Sequence, residues 1–197
     1  MSHPLPDLFS GQGSKVAIKN DSDPDKRGFI RLLTAVDVNQ DYVNGLNDEE
    51  VRRWISFTRA QPASLDGVRR YVDINYADPS ALLFGLFVED RLRGTVRLHD
   101  IDFLSKCASV GILIFDKSIW GKSWGFVILV KVVEIAFERL SLEEISAGID
   151  SENVASLRVF EKAGFEVQRD RDISYSAGIA YNAKICKPIS QFESNPQ

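Results

Sequence analysis

Residues 114–129, "IFDKSIWGKSWGFVIL", run from an apolar stretch through a short polar break into a second apolar stretch. The first stretch is strand-like, and the second opens an almost wholly apolar segment that predicts a buried helix from Gly125 to about Leu140. A strand that feeds a helix start leaves free backbone N–H groups there, backed by the positive end of the helix dipole. Gly121 leaves room for close approach and Lys122 adds a charge. The break therefore predicts an anion-binding loop, with a plain tight turn as the alternative.

Two familiar phosphate loops do not fit this break. A nucleotide P-loop needs a glycine separated from Gly121 by four residues, and Asp116 occupies that position. A dinucleotide-binding loop belongs to an early βαβ unit, whereas this break follows several strands that look antiparallel. A different ligand that carries a pyrophosphate is the remaining prediction.

Composition places the chain among ordinary globular proteins and excludes several functions. The 197 residues are 44% hydrophobic and 26% charged, with a formal net charge of -4 and a pI near 5.3. No basic surface for nucleic acid is indicated, and a mildly acidic surface suits an amine substrate. No segment resembles a signal peptide or a membrane span, so we predict a cytoplasmic protein with no membrane partner.

Cysteine and histidine usage argues against metal and disulfide frameworks. Cys107 and Cys186 lie in apolar strand-like runs and are predicted to be buried, reduced thiols. His3 and His99 are the only histidines, so no metal site is expected.

The order of elements predicts one α/β domain over residues 15–190, with loose tails at residues 1–14 and 191–197. Asp48, Ser64 and Asn153 are placed to cap helices, and the "EDRLRG" segment is placed to turn a hairpin. Two further strands, predicted to pair with each other, close the chain.

Two motifs in register give the chain a recognisable pattern. The segment "VGILIFDKSIWGKSWGFVILVKVVEIAFERLSLEEISAGIDSENVASLRVFEKAGFE" resembles the acyl-CoA-binding half of the GCN5-related N-acetyltransferase (GNAT) family. The similarity is greatest to the branch that holds ribosomal-protein N-terminal and amino-sugar N-acetyltransferases. The loop pattern Gln/Arg-x-x-Gly-x-Gly/Ala falls on residues 120–125, and the "EKxGF" signature falls on residues 161–165. Residues 28–102 match in element order and in "NDEEVRRW".

The resemblance implies a mixed, mostly antiparallel twisted sheet with two splayed central parallel strands, flanked by helices. It implies acetyl-CoA as co-substrate, with the pantetheine arm along the first parallel strand and the pyrophosphate on the loop. The implied cofactor residues are Ile112, Leu113, Ile114, Trp120, Gly121, Lys122, Ser123, Trp124, Gly125, Asn153, Ser156 and Phe160. Trp120, Ser123 and Phe160 stand where members commonly carry Gln or Arg, Gly, and a Tyr that protonates the thiolate.

An amine must lose a proton before it attacks a thioester, usually to a nearby side chain. We predict His99 and Asp100 as catalytic residues, because a histidine side chain, with an ordinary pKa near 6.5, suits proton transfer at neutral pH. The other candidates for the base are Asp102, Glu49 and Glu50. With Phe160 in place, the leaving thiolate takes its proton from water, Tyr175 or Tyr181.

The predicted function is transfer of an acetyl group to a primary amine, with an amino sugar or sugar nucleotide ahead of a protein N-terminus. Arg52, Arg53 and Arg59 either meet a phosphorylated acceptor or form the solvated face of a helix. The competing prediction is a non-catalytic acyl-CoA-binding protein, in which Ser123 and Phe160 have replaced working residues. Whether the chain acts as a monomer or a homodimer stays open.

Overall fold

A computed structural model describes residues 15–55, 61–175 and 178–187, with side chains given outside residues 170–179. One mixed sheet of eight strands, in the order β1-β2-β3-β4-β5-β6-β8-β7, forms its frame. The strands are β1 (Val16–Ile18), β2 (Gly28–Leu32), β3 (Leu82–Val88), β4 (Arg91–Asp102), β5 (Cys107–Ile114), β6 (Glu144–Asp150), β7 (Glu166–Tyr175) and β8 (Gly178–Cys186). Among the described strands only the β5–β6 pair is parallel, which confirms the predicted mixed sheet.

Helices cover both faces of the sheet. They are α1 (Gln40–Asn47), α2 (Glu49–Arg52), α3 (Leu65–Ala77), α4 (Trp124–Glu138) and α5 (Val154–Lys162). The predicted caps are present: Asp48, Ser64 and Asn153 each accept a hydrogen bond from a backbone N–H in the first turn of α2, α3 and α5. Helix α4 begins one residue before the predicted start and ends two residues before Leu140.

Alternation along the strands divides the apolar residues between two cores. Every residue of β3 is buried, and Leu82, Phe84 and Leu86 join a core under α4 and α5. Leu83 and Phe87, on the opposite face, join a second core under α1 and α3. A strand buried on both faces reads as a continuous apolar run, as "LLFGLFV" does.

Turns in the left-handed region join the antiparallel strands. Glu89 and Asp90, with φ of 52° and 57°, make the two-residue turn predicted between β3 and β4. Asp100, with φ of 52°, lies where the β4–β5 register shifts between His99 and Asp102. The regular register between β4 and β5 therefore ends at His99, and the bulge separates His99 from the turn of the hairpin.

The prediction of two buried thiols is wrong. Cys107 is half-buried and Cys186 is exposed, and both are free. They begin β5 and end β8, at one end of the sheet, where neither core extends over the strands. No helix in the described part of the chain is long and apolar enough to cross a bilayer.

Candidate active site

The two parallel strands separate after three paired residues. Cys107–Ser109 pairs with Glu144–Ser146, and no pairing between β5 and β6 continues beyond Ser109 in the described residues. Strand β5 remains paired with β4 on its other side as far as Ile114. A gap therefore opens between β5 and β6, and it widens from Ser109 toward Ile114.

The pairing of β5 with β4 decides which backbone groups face this gap. Phe115 donates its N–H to the Arg93 carbonyl across the β4–β5 pair, at a distance of 3.2 Å. Because backbone groups of an antiparallel strand point alternately to its two sides, the odd-numbered residues of β5 face β4. The even-numbered residues direct their N–H and C=O groups toward β6. The parallel pair Ser109–Ser146 uses the Val110 N–H, so the groups beyond it are the Val110 carbonyl and both groups of Ile112 and Ile114.

Of the three strand residues predicted to meet a pantetheine arm, the structure therefore directs two toward the gap. Ile112 and Ile114 face it with their backbone groups, whereas Leu113 is paired with Thr95 of β4. The carbonyl of Ile114 already accepts a hydrogen bond from Nε1 of Trp120, at 2.9 Å. This bond ties the loop to the wide end of the gap.

The loop that precedes α4 is built with left-handed backbone at two positions. Gly121 has φ of 72°, and a Cβ added there would meet nothing within 4 Å. Ser123 takes φ of 60° and ψ of 6° at the N-cap of α4, without a side-chain capping bond. The first helical bond runs from the Val127 N–H to the Ser123 carbonyl, so residues 124–126 begin the helix with no acceptor inside it.

Other predicted loop residues serve the scaffold. Trp124 is 1% exposed in the core, where its Nε1 donates to Asp23 at 3.0 Å. Trp124 thus anchors the loop, whereas Trp120 is 40% exposed beside the gap. The Lys122 ammonium donates to the Ser118 carbonyl at 2.9 Å and so is held against the preceding turn.

The turn between β1 and β2 clamps the loop from outside. Nδ2 of Asn20, which is buried, donates to the Lys122 carbonyl at 2.7 Å. The Ser22 hydroxyl lies 3.1 Å from the Ser123 hydroxyl. These contacts were not predictable from the sequence, since more than 100 residues separate the partners.

Helix α5 borders the gap from the β6 side. Asn153 caps it by accepting a hydrogen bond from the Ser156 N–H at 3.0 Å, as predicted from the sequence. Phe160 is only 2% exposed and packs edge-on against Phe165, with ring centroids 4.9 Å apart. Gly125 faces β5, since a Cβ added there would make an ordinary van der Waals contact with the Ile112 side chain, at 3.6 Å.

The predicted catalytic pair lies beside the narrow end of the gap. His99 is opposite Ser109 in the β4–β5 register, on the face of the sheet that carries α1 and α3. The Ser109 hydroxyl lies 3.3 Å from that of Ser146, where the parallel strands part. Nδ1 of His99 lies 2.7 Å from Oδ2 of Asp100, and the histidine side chain is 27% exposed.

The alternative bases lie elsewhere. Hydrogen bonds from the Ser105 hydroxyl and from backbone N–H groups lower the pKa of the Asp102 carboxyl, which is turned into the β4–β5 hairpin. The Lys117 ammonium forms ion pairs with two carboxylates, that of Glu50 at 3.4 Å and that of Asp48 at 2.7 Å. Glu49 is exposed in the first turn of α2, among these charges.

The remaining predicted residues do not gather at this end of the gap. Tyr181 packs against the core under α4 and α5, on the other face from His99. Arg53 lies over the Trp54 ring at 4.6 Å. Arg59 and the Tyr175 side chain fall outside the described residues.

A polar cluster on the His99 face was not predicted. Arg97 is opposite Gly111 in the strand register, and its Nε donates to Oδ1 of Asn75 at 2.6 Å. The backbone carbonyl of Tyr71 accepts a hydrogen bond from Nδ2 of Asn75, and burial raises the pKa of the Tyr71 phenol. Burial also raises the pKa of Tyr42, which lies beneath the same surface with a hydrogen bond to Thr95. Two signals in the sequence were available: Asn75 on the apolar face of α3, and Arg97 within a strand.

Comparison with protein families gives one match over most of the chain. The model described as "Acetyltransferase (GNAT) domain" matches residues 27–166. Probable N-acetyltransferase YjcK of Bacillus subtilis (strain 168) is 41% identical over 85 residues, which cover 42% of this chain and 46% of that protein. This match therefore spans less than half of that relative's length. Putative ribosomal N-acetyltransferase YdaF of the same organism is 28% identical over 141 residues, covering 69% of this chain and 76% of that protein.

Solved structures share the fold. The crystal structure of spermidine N-acetyltransferase from Vibrio cholerae in complex with CoA and spermine superposes with a TM-score of 0.67 at 18% identity. The superposition covers 81% of this chain and 95% of that chain. At 18% sequence identity the similarity indicates a shared fold only.

Proposed function

The chain belongs to the GNAT acetyltransferase family, and from that premise we propose that it transfers the acetyl group of acetyl-CoA to a small primary amine. The observation that carries the proposal is the gap between β5 and β6, which is bounded by the α4 loop at one end and by His99 at the other. Acetyl-CoA would supply an activated thioester, and the protein would bind it and accept the proton of the amine.

The residues along the gap fit such a cofactor. The Val110 carbonyl and the N–H and C=O groups of Ile112 lie beyond the last parallel pair, and the amides of an extended pantetheine arm can pair with them like an added strand. At the wide end, the N–H groups of residues 124–126 offer donors to the pyrophosphate, and the open space at Gly121 admits its oxygens. From Val110 to Ile114 the strand rises by about 13 Å, a span that an extended arm can follow.

His99 is proposed as the general base. Asp100 accepts the hydrogen bond from Nδ1–H, which leaves the lone pair of Nε2 to take a proton from the acceptor's ammonium group. The neutral amine then attacks the thioester carbon. The Ile112 N–H, the first that faces the gap beyond the last parallel pair, is proposed to donate to the oxyanion. Phe160 has no proton to give, so water is the proposed donor to the leaving thiolate.

Among amines we place an amino sugar first, ahead of a protein N-terminus. The half-buried side chains of Arg97 and Tyr71, which the buried Asn75 links, make this side of the gap polar and suit a hydroxylated acceptor. The name of YdaF keeps a ribosomal protein as the second candidate acceptor.

The competing function is acyl-CoA binding without transfer. Ser123 and Phe160 favour it, because both replace residues that family members commonly carry. Release of CoA thiol from acetyl-CoA, measured over a panel of amino sugars, polyamines and N-terminal peptides, separates the two functions. Amine-dependent release supports the transferase, whereas acetyl-CoA binding with no release for any amine supports the binding protein.

A further inference from the structure

We propose that the acceptor carries an anionic group, a carboxylate or a phosphate, that Arg97 binds while His99 receives the proton of its amine. This inference rests on the proposed function and narrows its substrate class. It places acceptors with a second cation, such as polyamines, outside the substrate range.

The position of Arg97 is fixed from one side. Its Nε donates to Oδ1 of Asn75 at 2.6 Å, and Asn75 is 3% exposed with its own Nδ2 bound to the Tyr71 carbonyl at 2.8 Å. One edge of the guanidinium is thereby held against α3. A planar group held in this way has lost little freedom before it meets a ligand.

Among the described side chains, the other edge of the guanidinium has no carboxylate partner. Within residues 15–55, 61–175 and 178–187, Nη1 and Nη2 of Arg97 make no hydrogen bond or ion pair, although the side chain is half-buried. Other half-buried arginines of the sheet are paired: Arg31 with Asp37, and Arg93 with Asp116. An unpaired, partly desolvated guanidinium is best compensated by a planar or tetrahedral anion that takes both nitrogens.

Space for such a ligand lies next to this arginine. Gly111 is opposite Arg97 in the strand register, and a Cβ added to Gly111 would meet nothing within 4 Å. Gly111 also precedes Ile112, the proposed oxyanion donor. An acceptor that lies over Gly111 thus reaches the reaction centre and Arg97 together.

Strand geometry gives the expected size of the acceptor. Arg97 and His99 are two residues apart on one face of β4, so their Cα atoms are separated by about 7 Å. An amine and an acidic group several bonds apart match this spacing, as in a phosphorylated amino sugar or an ω-amino acid. A second cation in place of the anion would meet the positive charge of Arg97.

The test compares matched acceptors that differ only in the anion. The phosphate arm uses glucosamine 6-phosphate against glucosamine, the carboxylate arm uses 6-aminohexanoate against its amide, and spermidine is the cationic probe. We expect kcat/KM for the anionic member of at least one arm to exceed that of its neutral partner by about 10- to 100-fold. Preference for the neutral members or for spermidine overturns the proposal.

Variants assign the preference to this residue. Arg97→Gln should lower kcat/KM for the anionic acceptor far more than for its neutral partner and so remove most of the difference between them, while Arg97→Lys should restore part of that difference. Arg69→Gln, an equal charge change on the exposed side of α3, should leave the preference intact. An Arg97→Gln variant that melts normally and loses activity equally toward both members would overturn the proposal.

A binding measurement separates this inference from the transferase proposal. If no acceptor is acetylated, the same pairs are titrated into the CoA-bound protein. Anion-selective binding lost in Arg97→Gln keeps the anion site and removes the transferase function. Binding without selectivity removes the anion site.

Discussion

His99 is the residue on which the proposed chemistry depends most. Its Nδ1 is engaged by Asp100, and the strand register places it opposite Ser109, where β5 and β6 part. Asp102 is only three residues away, yet its carboxylate accepts hydrogen bonds from the Leu104 N–H and the Ser105 hydroxyl within the hairpin. His99 and Asp102 therefore differ in how available their side chains are for proton transfer.

We expect His99→Gln to lower kcat by about 100- to 10,000-fold, because a general base commonly contributes that much. Acetyl-CoA affinity should stay unchanged, since His99 lies at the far end of the gap from the loop. Steady-state kinetics and calorimetric titration check the two parts. Asp102→Asn is the control and should keep near-normal kcat; a larger loss in that variant than in His99→Gln would reverse the assignment.

The sequence predicted individual residues best where the local backbone decides their role. The caps at Asp48, Ser64 and Asn153 are each set by a bond to an N–H two or three residues away, so a local pattern suffices. Ser123 was predicted as the loop residue that replaces a glycine, and it does take a left-handed conformation. The fate of Lys122 was not predictable, because its ammonium turns back to Ser118 only once the turn is formed.

At the scale of elements, the loop before α4 is held by two neighbours that the sequence does not connect to it. The β1–β2 turn reaches it through Asn20, and β4 reaches the turn before it through Arg93 and Asp116. Contacts of this kind depend on how strands are ordered in the sheet, which a single sequence leaves open. The separation of β5 and β6 was predicted only because the family resemblance implied it.

Asn20→Ala should destabilise the protein by about 1–3 kcal/mol, since the Lys122 carbonyl and the Ser22 N–H would lose their buried partner. Acetyl-CoA affinity should fall as well, because the loop would no longer be held in one conformation. Urea unfolding and calorimetric titration measure these effects. Asp21→Ala, on the exposed side of the same turn, is the control; equal losses in both variants would show that Asn20 has no special part.

Asp116→Asn should destabilise the protein at neutral pH by about 1–2 kcal/mol. Burial works to raise the pKa of the Asp116 carboxyl, but hydrogen bonds from Ser118 and Arg93 and the charge of Arg93 outweigh it, so the pKa lies below its ordinary 3.8. A lowered carboxyl pKa stabilises the fold above 3.8, and this contribution disappears as the pH falls through and below that value.

Urea unfolding at neutral pH and below pH 3.8 tests this dependence. The difference between Asp116→Asn and the unmodified protein should shrink in acid. Asp90→Asn, at an exposed turn position, should change stability by no more than about 0.5 kcal/mol at either pH. A destabilisation by Asp116→Asn that is the same at both pH values would contradict a role for the carboxylate charge.

At the scale of the whole molecule, the two cores and the sheet between them explain why a gap can persist. Strands β3 and β4 are covered on both faces, and β5 stays paired with β4, so β5 needs no partner beyond Ser109 to keep its place. One mixed sheet with helices on both faces was predictable from the alternation of strand-like and helix-like segments. The Arg97 cluster was not, because it forms only where α3 packs across β4.

The proposed chemistry depends above all on acetyl-CoA lying in this gap with its pyrophosphate on the α4 loop. Calorimetric titration of acetyl-CoA into the protein and three variants tests it most directly. Gly121→Glu adds a carboxylate in the open space of the loop, Gly121→Ala adds the backbone strain without the charge, and Gly67→Glu adds the same side chain in the first turn of α3. We predict micromolar binding by the unmodified protein and by Gly67→Glu, a small loss in Gly121→Ala, and a loss of about 100-fold or more in Gly121→Glu. Equal affinity in all four proteins, or no binding by the unmodified protein, would contradict this site for acetyl-CoA.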